Sequence, residues 1–145
     1  MLKRSFSFLL SLILITTLCS VAFATENRAS TTLTSYNVSC AAGNKAGELR
    51  FSYDVKAKKT ADSVGVSSIE LYSSGGVYMT TILGNDKNGL TKSDSVICKG
   101  TYSHTAVPGN SYYAIVTVFA EIGDDYDSKM VSTKIVTAPV SSTDS

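Results

Sequence analysis

Along "ELRFSYDVKAK", Glu48 to Lys58, Leu49, Phe51, Tyr53, Val55 and Ala57 alternate with Arg50, Ser52, Asp54, Lys56 and Lys58. A period of two sends one row of side chains into a core and the other into water, which describes a half-buried β-strand. Similar stretches recur at Thr31–Ala41, Val66–Tyr72, Val77–Leu83, Ser95–Ser103, Ser111–Glu121 and Lys129–Thr137. Between them stand turn signals: Gly43–Gly47, Ser73-Ser74-Gly75-Gly76, the polar Gly84–Thr91 and Pro108-Gly109. The Ser-Ser-Gly-Gly run tolerates positive φ, so the strand after it is expected to fold back as a hairpin. Beyond residue 24 there is neither a helical period nor an internal repeat. Seven short strands with a turn roughly every ten residues predict an all-β, antiparallel, two-sheet sandwich over residues 31–139. Tyr36, Tyr53 and Tyr112 fall on its inward phase. Residues 140–145, "VSSTDS", are too polar to pack and are expected to fray.

The first two dozen residues read as a transport signal. Lys3 and Arg4 precede an uncharged run from Phe6 to Val21, which closes on Ala22-Phe23-Ala24. That is the pattern of a cleaved signal peptide over residues 1–24, with 25–30 as a flexible lead into the fold. Ser5–Phe23 is also about long enough for a retained anchor, which needs roughly 20 apolar residues, but Ser11, Thr16, Thr17 and Ser20 weaken it. A lipid-modified Cys19 is the other alternative, and Leu18 is a poor residue to precede it. Cleavage leaves 121 residues (145 less 24) and no membrane span. The expected location is outside the cell.

Lys3 and Arg4 leave with the signal, so 11 of the 13 basic residues face 12 acidic ones. A near-neutral chain has no basic face to neutralise phosphates, which argues against nucleic-acid binding. Cys40 and Cys98 then form an even pair in an exported chain, and such a pair reads as one disulfide. Two buried free thiols are the alternative. So is a metal site, although two distant cysteines and one histidine supply too few ligands.

Pro108-Gly109-Asn110-Ser111-Tyr112, followed by Ala114, Val116, Val118 and Ala120, resembles the penultimate strand of fibronectin type III and related immunoglobulin-like domains. In that family a Pro-Gly turn delivers a tyrosine whose hydroxyl bonds back to nearby backbone, a role the resemblance implies for Tyr112. "SKMVSTKIVTAP" resembles the closing strand. Leu49–Tyr53 resembles the second strand, with Tyr53 where the family has a core tryptophan. The chain departs from the family in having no tryptophan, and type III domains normally lack an internal disulfide. The family's strand order also puts a strand between those bearing Cys40 and Cys98, so the two would have to meet near a sheet end. "VGVSSIELY" and "PGNSYYAIVTVFA" are also similar to strings in small exported proteins of Gram-positive bacteria, a likeness that implies no activity.

Catalytic signals are few. His104 is the single histidine, with no G-x-S-x-G elbow to accompany it. Glu48, Glu70 and Glu121 fall on polar phases or strand ends, and the glycines form no phosphate cradle. "GDDYDS" is the sharpest charged feature. Asp124, Asp125 and Asp127 on a loop are candidate calcium ligands, and Asp124, Asp125, Tyr126 and Asp127 together make a candidate binding loop. The plainer reading is a solvated turn. "NDKNG" at Asn85–Gly89 has no glutamate at the position a calcium loop requires, and Asn37-Val38-Ser39 is a glycosylation sequon only in a host with the machinery. Tyr72 and Tyr78 flank the Ser-Ser-Gly-Gly hairpin and could offer flat rings to a sugar or a protein, or pack at an edge.

The sequence therefore points to a secreted, non-catalytic β-sandwich that binds an extracellular protein or glycan. The expected surface combines the Gly123–Ser128 loop with the Gly75–Tyr78 hairpin. Two alternatives stand beside it: a structural subunit of an envelope or matrix assembly, and a small extracellular hydrolase built on His104.

Overall fold

The computed structural model describes residues 30–143. The signal peptide at 1–24 and most of the 25–30 lead lie outside the described residues. Seven strands follow in order: β1 (Leu33–Ala42), β2 (Glu48–Ser73), β3 (Tyr78–Leu83), β4 (Thr91–Thr105), β5 (Ser111–Ile122), β6 (Asp125–Ser132) and β7 (Val136–Thr137). All pairings are antiparallel, and there is no helix among the described residues. The all-β expectation holds.

The second and third expected strands are one. β2 runs for 26 residues because 58–62, Lys-Lys-Thr-Ala-Asp, holds no residue that forces a turn. Instead the strand bends, with pairing slips toward β4 between Lys56 and Ala61 and toward β5 between Val66 and Ser68. Its first half lies between β1 and β4, and its second half between β3 and β5, with β6 and β7 beyond β5. One antiparallel sheet thus curls over itself around a single core.

That core follows the alternation. Leu49, Phe51 and Val55 come from the first half of β2 and Ile69 and Leu71 from the second, while Val116 and Val118 come from β5; all are buried. Tyr53 and Tyr112 are buried as expected. Tyr36 is not. It stays 43% exposed because β1 is an edge strand whose inner row is only partly covered. Tyr53 donates its hydroxyl to the Gly89 carbonyl at 2.6 Å, anchoring the loop before β4, which begins at Thr91 rather than Ser95. Within that loop Asn85 and Asn88 exchange side-chain bonds with each other's backbone N–H at 3.0 and 2.9 Å.

The Cys40–Cys98 disulfide is not formed; both thiols are free. Cys40 pairs opposite Phe51 and Cys98 opposite Val55, so β2 runs between them. Two strand spacings across and four residues along place them about 16 Å apart, where a disulfide needs Cα atoms about 5.5 Å apart.

The acidic segment is also not the loop expected of it. Ile122 pairs with Asp125, leaving only Gly123 and Asp124 in the turn. Gly123 has φ 59° at the first central position, where a tight hairpin turn of type II′ takes glycine. Asp125, Tyr126 and Asp127 belong to β6, so the closing strand starts earlier than Lys129. It ends at Ser132 and resumes only as the short β7.

Candidate functional site

Residues opposite one another on neighbouring antiparallel strands share a face. Tyr72 is opposite both Tyr78 on β3 and Tyr113 on β5, one step out of phase with the buried Leu71 and Tyr112. The three rings therefore cross the outer face in a row. Tyr72 stacks on Tyr113 with centroids 5.4 Å apart and planes 12° apart, and Tyr78 meets Tyr72 edge-on at 5.8 Å. The Tyr72 hydroxyl donates to Glu70 at 3.3 Å. Partial burial pushes the Tyr72 phenol above its ordinary pKa, and the Glu70 carboxylate adds to the effect.

Tyr72 and Tyr113 cover each other's ring faces, while the Tyr72 and Tyr78 hydroxyls turn to Glu70 and Thr81. Tyr78 packs edge-on against Tyr72 and stays 56% exposed. Beyond Tyr113 the face continues through the half-buried Ile115 and Thr117 to Met130, which is 75% exposed opposite Thr117. Farther along, Phe119 lies over Gly65, with Tyr126 stacked on it at 5.7 Å. That contact leaves Phe119 only 7% exposed although it points away from the core. Charges on this face are confined to Glu70 and, at its far end, Glu121 opposite Tyr126.

The outer face of the other half is polar. Rows Asn37–Asp54–Lys99 and Ser39–Ser52–Thr101 cross β1, β2 and β4, with Arg50 and Lys56 on the same phase. Lys99 lies 3.9 Å from Asp54. The contrast between the two outer faces is the main asymmetry of the molecule.

The acidic residues have separate fates. Asp127 turns toward the chain entry and accepts from Thr32 N and Ser30 Oγ at 2.8 Å each, and from Thr31 Oγ1 at 2.9 Å. These donors, led by the Thr32 backbone N–H, hold its carboxyl well below the usual range. Thr32, fully buried, donates its own hydroxyl to the Ala120 carbonyl at 2.8 Å. Asp127 is therefore a clamp and not an open ligand. Asp62, from the bend of β2, accepts from Gly123 N at 2.7 Å and fixes the hairpin turn. Among the described residues no three acidic, histidine or cysteine side chains gather as a metal site would require, so Asp124, Asp125 and Asp127 do not converge.

The two segments expected to share a surface do not. The Ser73–Val77 turn adjoins the start of β5, where Ser74 N donates to Ser111 O at 2.9 Å, while Gly123 follows its last residue. About ten residues of strand, roughly 34 Å, separate them.

His104 pairs opposite Leu49 and lines a pocket of about 390 Å³ with Leu71, Met79, Thr80, Val107 and Tyr112 among its walls. The lining holds no carboxylate, and burial lowers the pKa of the imidazole, favouring its neutral form. The Tyr112 hydroxyl accepts from Val107 N at 3.2 Å. Both thiols are disfavoured as thiolates: burial pushes Cys40 up to about 11 and raises Cys98 as well.

Sequence reasoning singled out Tyr72 and Tyr78 but missed Tyr113 and Met130. The phase of β5 could have placed Tyr113 outside, because it adjoins the inward Tyr112. Its contact with Tyr72 depends on the strand register. No protein-family model, curated protein or solved structure matches this chain.

Proposed function

We propose that the chain is an exported, non-catalytic β-sandwich of the fibronectin type III or immunoglobulin-like kind, acting as an extracellular binding module. Its binding surface is the outer face of β3, β2, β5 and β6. The pairing order supports the fold reading: β1 and β4 flank the first half of β2, and β3 and β5 flank its second half with β6 beyond β5, the arrangement two layers of such a sandwich would need. The Val107–Tyr112 bond supports it too.

The observation that carries the function is the contrast between the two outer faces. An aromatic and aliphatic row, exposed at Tyr78 and Met130 and half-buried between them, with a single central carboxylate, suits a protein partner, for which tyrosine and methionine are favoured contact residues. Edge-on rings suit a glycan less well. The test is capture of extracellular matrix proteins, cell-wall fragments and glycans by the immobilised protein, with and without Ca²⁺. A protein ligand lost on Tyr78→Ala/Met130→Ala, both exposed positions, supports the reading. Binding to glycans alone, or binding that the double variant leaves intact, overturns it.

A further inference from the structure

Glu70 stands near the middle of the outer face. On β2 it lies opposite Thr81 of β3 and Ile115 of β5. Two residues to one side is the row Tyr78–Tyr72–Tyr113, and two residues to the other is Leu83–Ser68–Thr117–Met130. Such rows are about 7 Å apart, and neighbouring strands about 4.8 Å. Tyr78 and Met130, 56% and 75% exposed, occupy opposite corners of this lattice. A partner that touches both therefore covers Glu70 as well.

Within the chain the half-buried Glu70 is poorly provided for. Among the described residues no lysine or arginine forms an ion pair with it, and its hydrogen bond from the Tyr72 hydroxyl is long, at 3.3 Å. Glu48 and Asp54, by contrast, have Arg50 and Lys99 at 3.7 and 3.9 Å. In the free protein, water can complete the solvation of Glu70, and a partner laid over the face removes that water. A carboxylate left dry and unpaired opposes binding, so whatever covers this face must return a positive charge. The other charge on the face, Glu121 at its far end, is negative too, so no resident cation takes that role.

We infer that the partner places an arginine side chain on Glu70, flanked by apolar residues that cover the tyrosine row on one side and Leu83 and Met130 on the other. The inference rests on the outer-face reading under Proposed function. Arginine fits this position better than lysine. Its planar guanidinium donates two parallel hydrogen bonds to one carboxylate, and it is more weakly hydrated than an ammonium, so it loses less on leaving water. Its apolar stem can lie along Ile115, directly opposite Glu70. A bare metal ion is the poorer candidate, because no further carboxylate gathers around Glu70 among the described residues.

The test titrates the purified protein with a short capped peptide in which arginine stands between leucines, and with its citrulline counterpart. Citrulline keeps the shape of the side chain and loses the charge. In ¹H–¹⁵N spectra the arginine peptide should shift residues around Glu70, Tyr72 and Ile115, with a dissociation constant on the order of a millimolar. The citrulline peptide should bind at least about tenfold more weakly, the scale of one hydrogen bond to a charged group. Glu70→Gln should abolish that difference, and its own spectrum reports whether it folds. Should it not fold, the position of the shifts in the parent decides, and shifts centred away from Glu70 count against the site. Equal affinity of the two peptides, a preference that survives in folded Glu70→Gln, or no binding of either up to about 10 mM would each overturn the arginine site. Equal affinities with protein capture that still depends on Tyr78 and Met130 would remove the arginine alone. An intact arginine preference, with capture indifferent to Tyr78→Ala/Met130→Ala, would remove the outer-face reading instead.

Discussion

The Asp127 carboxylate accepts the Thr32 backbone N–H at 2.8 Å across 95 positions of sequence, and this bond ties the start of the fold to its last long strand. A feature that reads as a solvated acidic loop is in part a structural clamp. Its carboxyl is held well below the ordinary range by the Thr32 N–H first and the Ser30 hydroxyl next.

The clamp predicts a pH dependence. A folded-state pKa below the unfolded one contributes stability that is fully present above the ordinary aspartate value near 3.9 and is lost as pH falls through the folded value. Glu48 acts in the same direction, because the N–H groups of Lys45 and Asn44 lower its pKa, as do Asp86 and its Ser93 and Thr91 partners. Thermal stability should therefore fall slightly below about pH 6.5, where the half-buried His104 resists the proton the unfolded chain takes up, and more steeply below about pH 4, where these carboxylates titrate. Asp127→Asn should lower Tm at pH 7 and flatten that acid slope, as melting curves at several pH values would record. An unchanged slope would deny Asp127 its role.

The free thiols give a second prediction. Alkylation in denaturant followed by peptide mass analysis should find Cys40 and Cys98 fully modified without prior reduction. In the folded protein Cys40, with its pKa near 11, should react slowly at pH 7. Reductant should leave Tm unchanged, whereas a disulfide closing so long a loop would add roughly 4 kcal/mol. A 40–98 cross-linked peptide would contradict the strand register.

Core and surface should respond very differently to truncation. Phe51→Ala removes a fully buried ring at the centre of the curled sheet and should cost about 3–5 kcal/mol in urea unfolding. Met130→Ala, at 75% exposure, should fall within about 0.5 kcal/mol of the parent. Comparable losses at the two sites would mean that the outer face is packed rather than available.

Tyr112→Phe deletes only the hydroxyl that receives the Val107 N–H, with the ring left in place. Loss of about 1 kcal/mol in the same unfolding assay is expected, as for a typical intramolecular hydrogen bond. No loss would show that the turn before β5 is held by other contacts.

Much of the strand pattern was legible because period two is local. Leu49 to Ala57 and Tyr112 to Ala120 show their buried rows in the sequence itself. The continuity of β2 was hidden, since Lys58, Lys59 and Thr60 look like a polar break, and only the absence of a turn-forming residue hints at a bend. The separation of Cys40 and Cys98 depends on which strand lies between them. Cysteine counting carries no such information. Asp127 misled because its partners, Ser30 to Thr32, are remote in sequence. Tyr113 was overlooked because the stack with Tyr72 exists only in register.

The most direct test of the central claim sets two double variants against the parent in binding to extracellular protein ligands. Tyr78→Ala/Met130→Ala alters the outer face, and Asp124→Asn/Asp125→Asn alters the acidic hairpin; all four side chains are exposed. The account predicts that the face variant loses binding by at least about tenfold, as expected on removing contact residues at the heart of an interface, while the hairpin variant binds like the parent. Loss in the hairpin variant with the face variant unaffected would contradict it and return the binding site to the acidic turn.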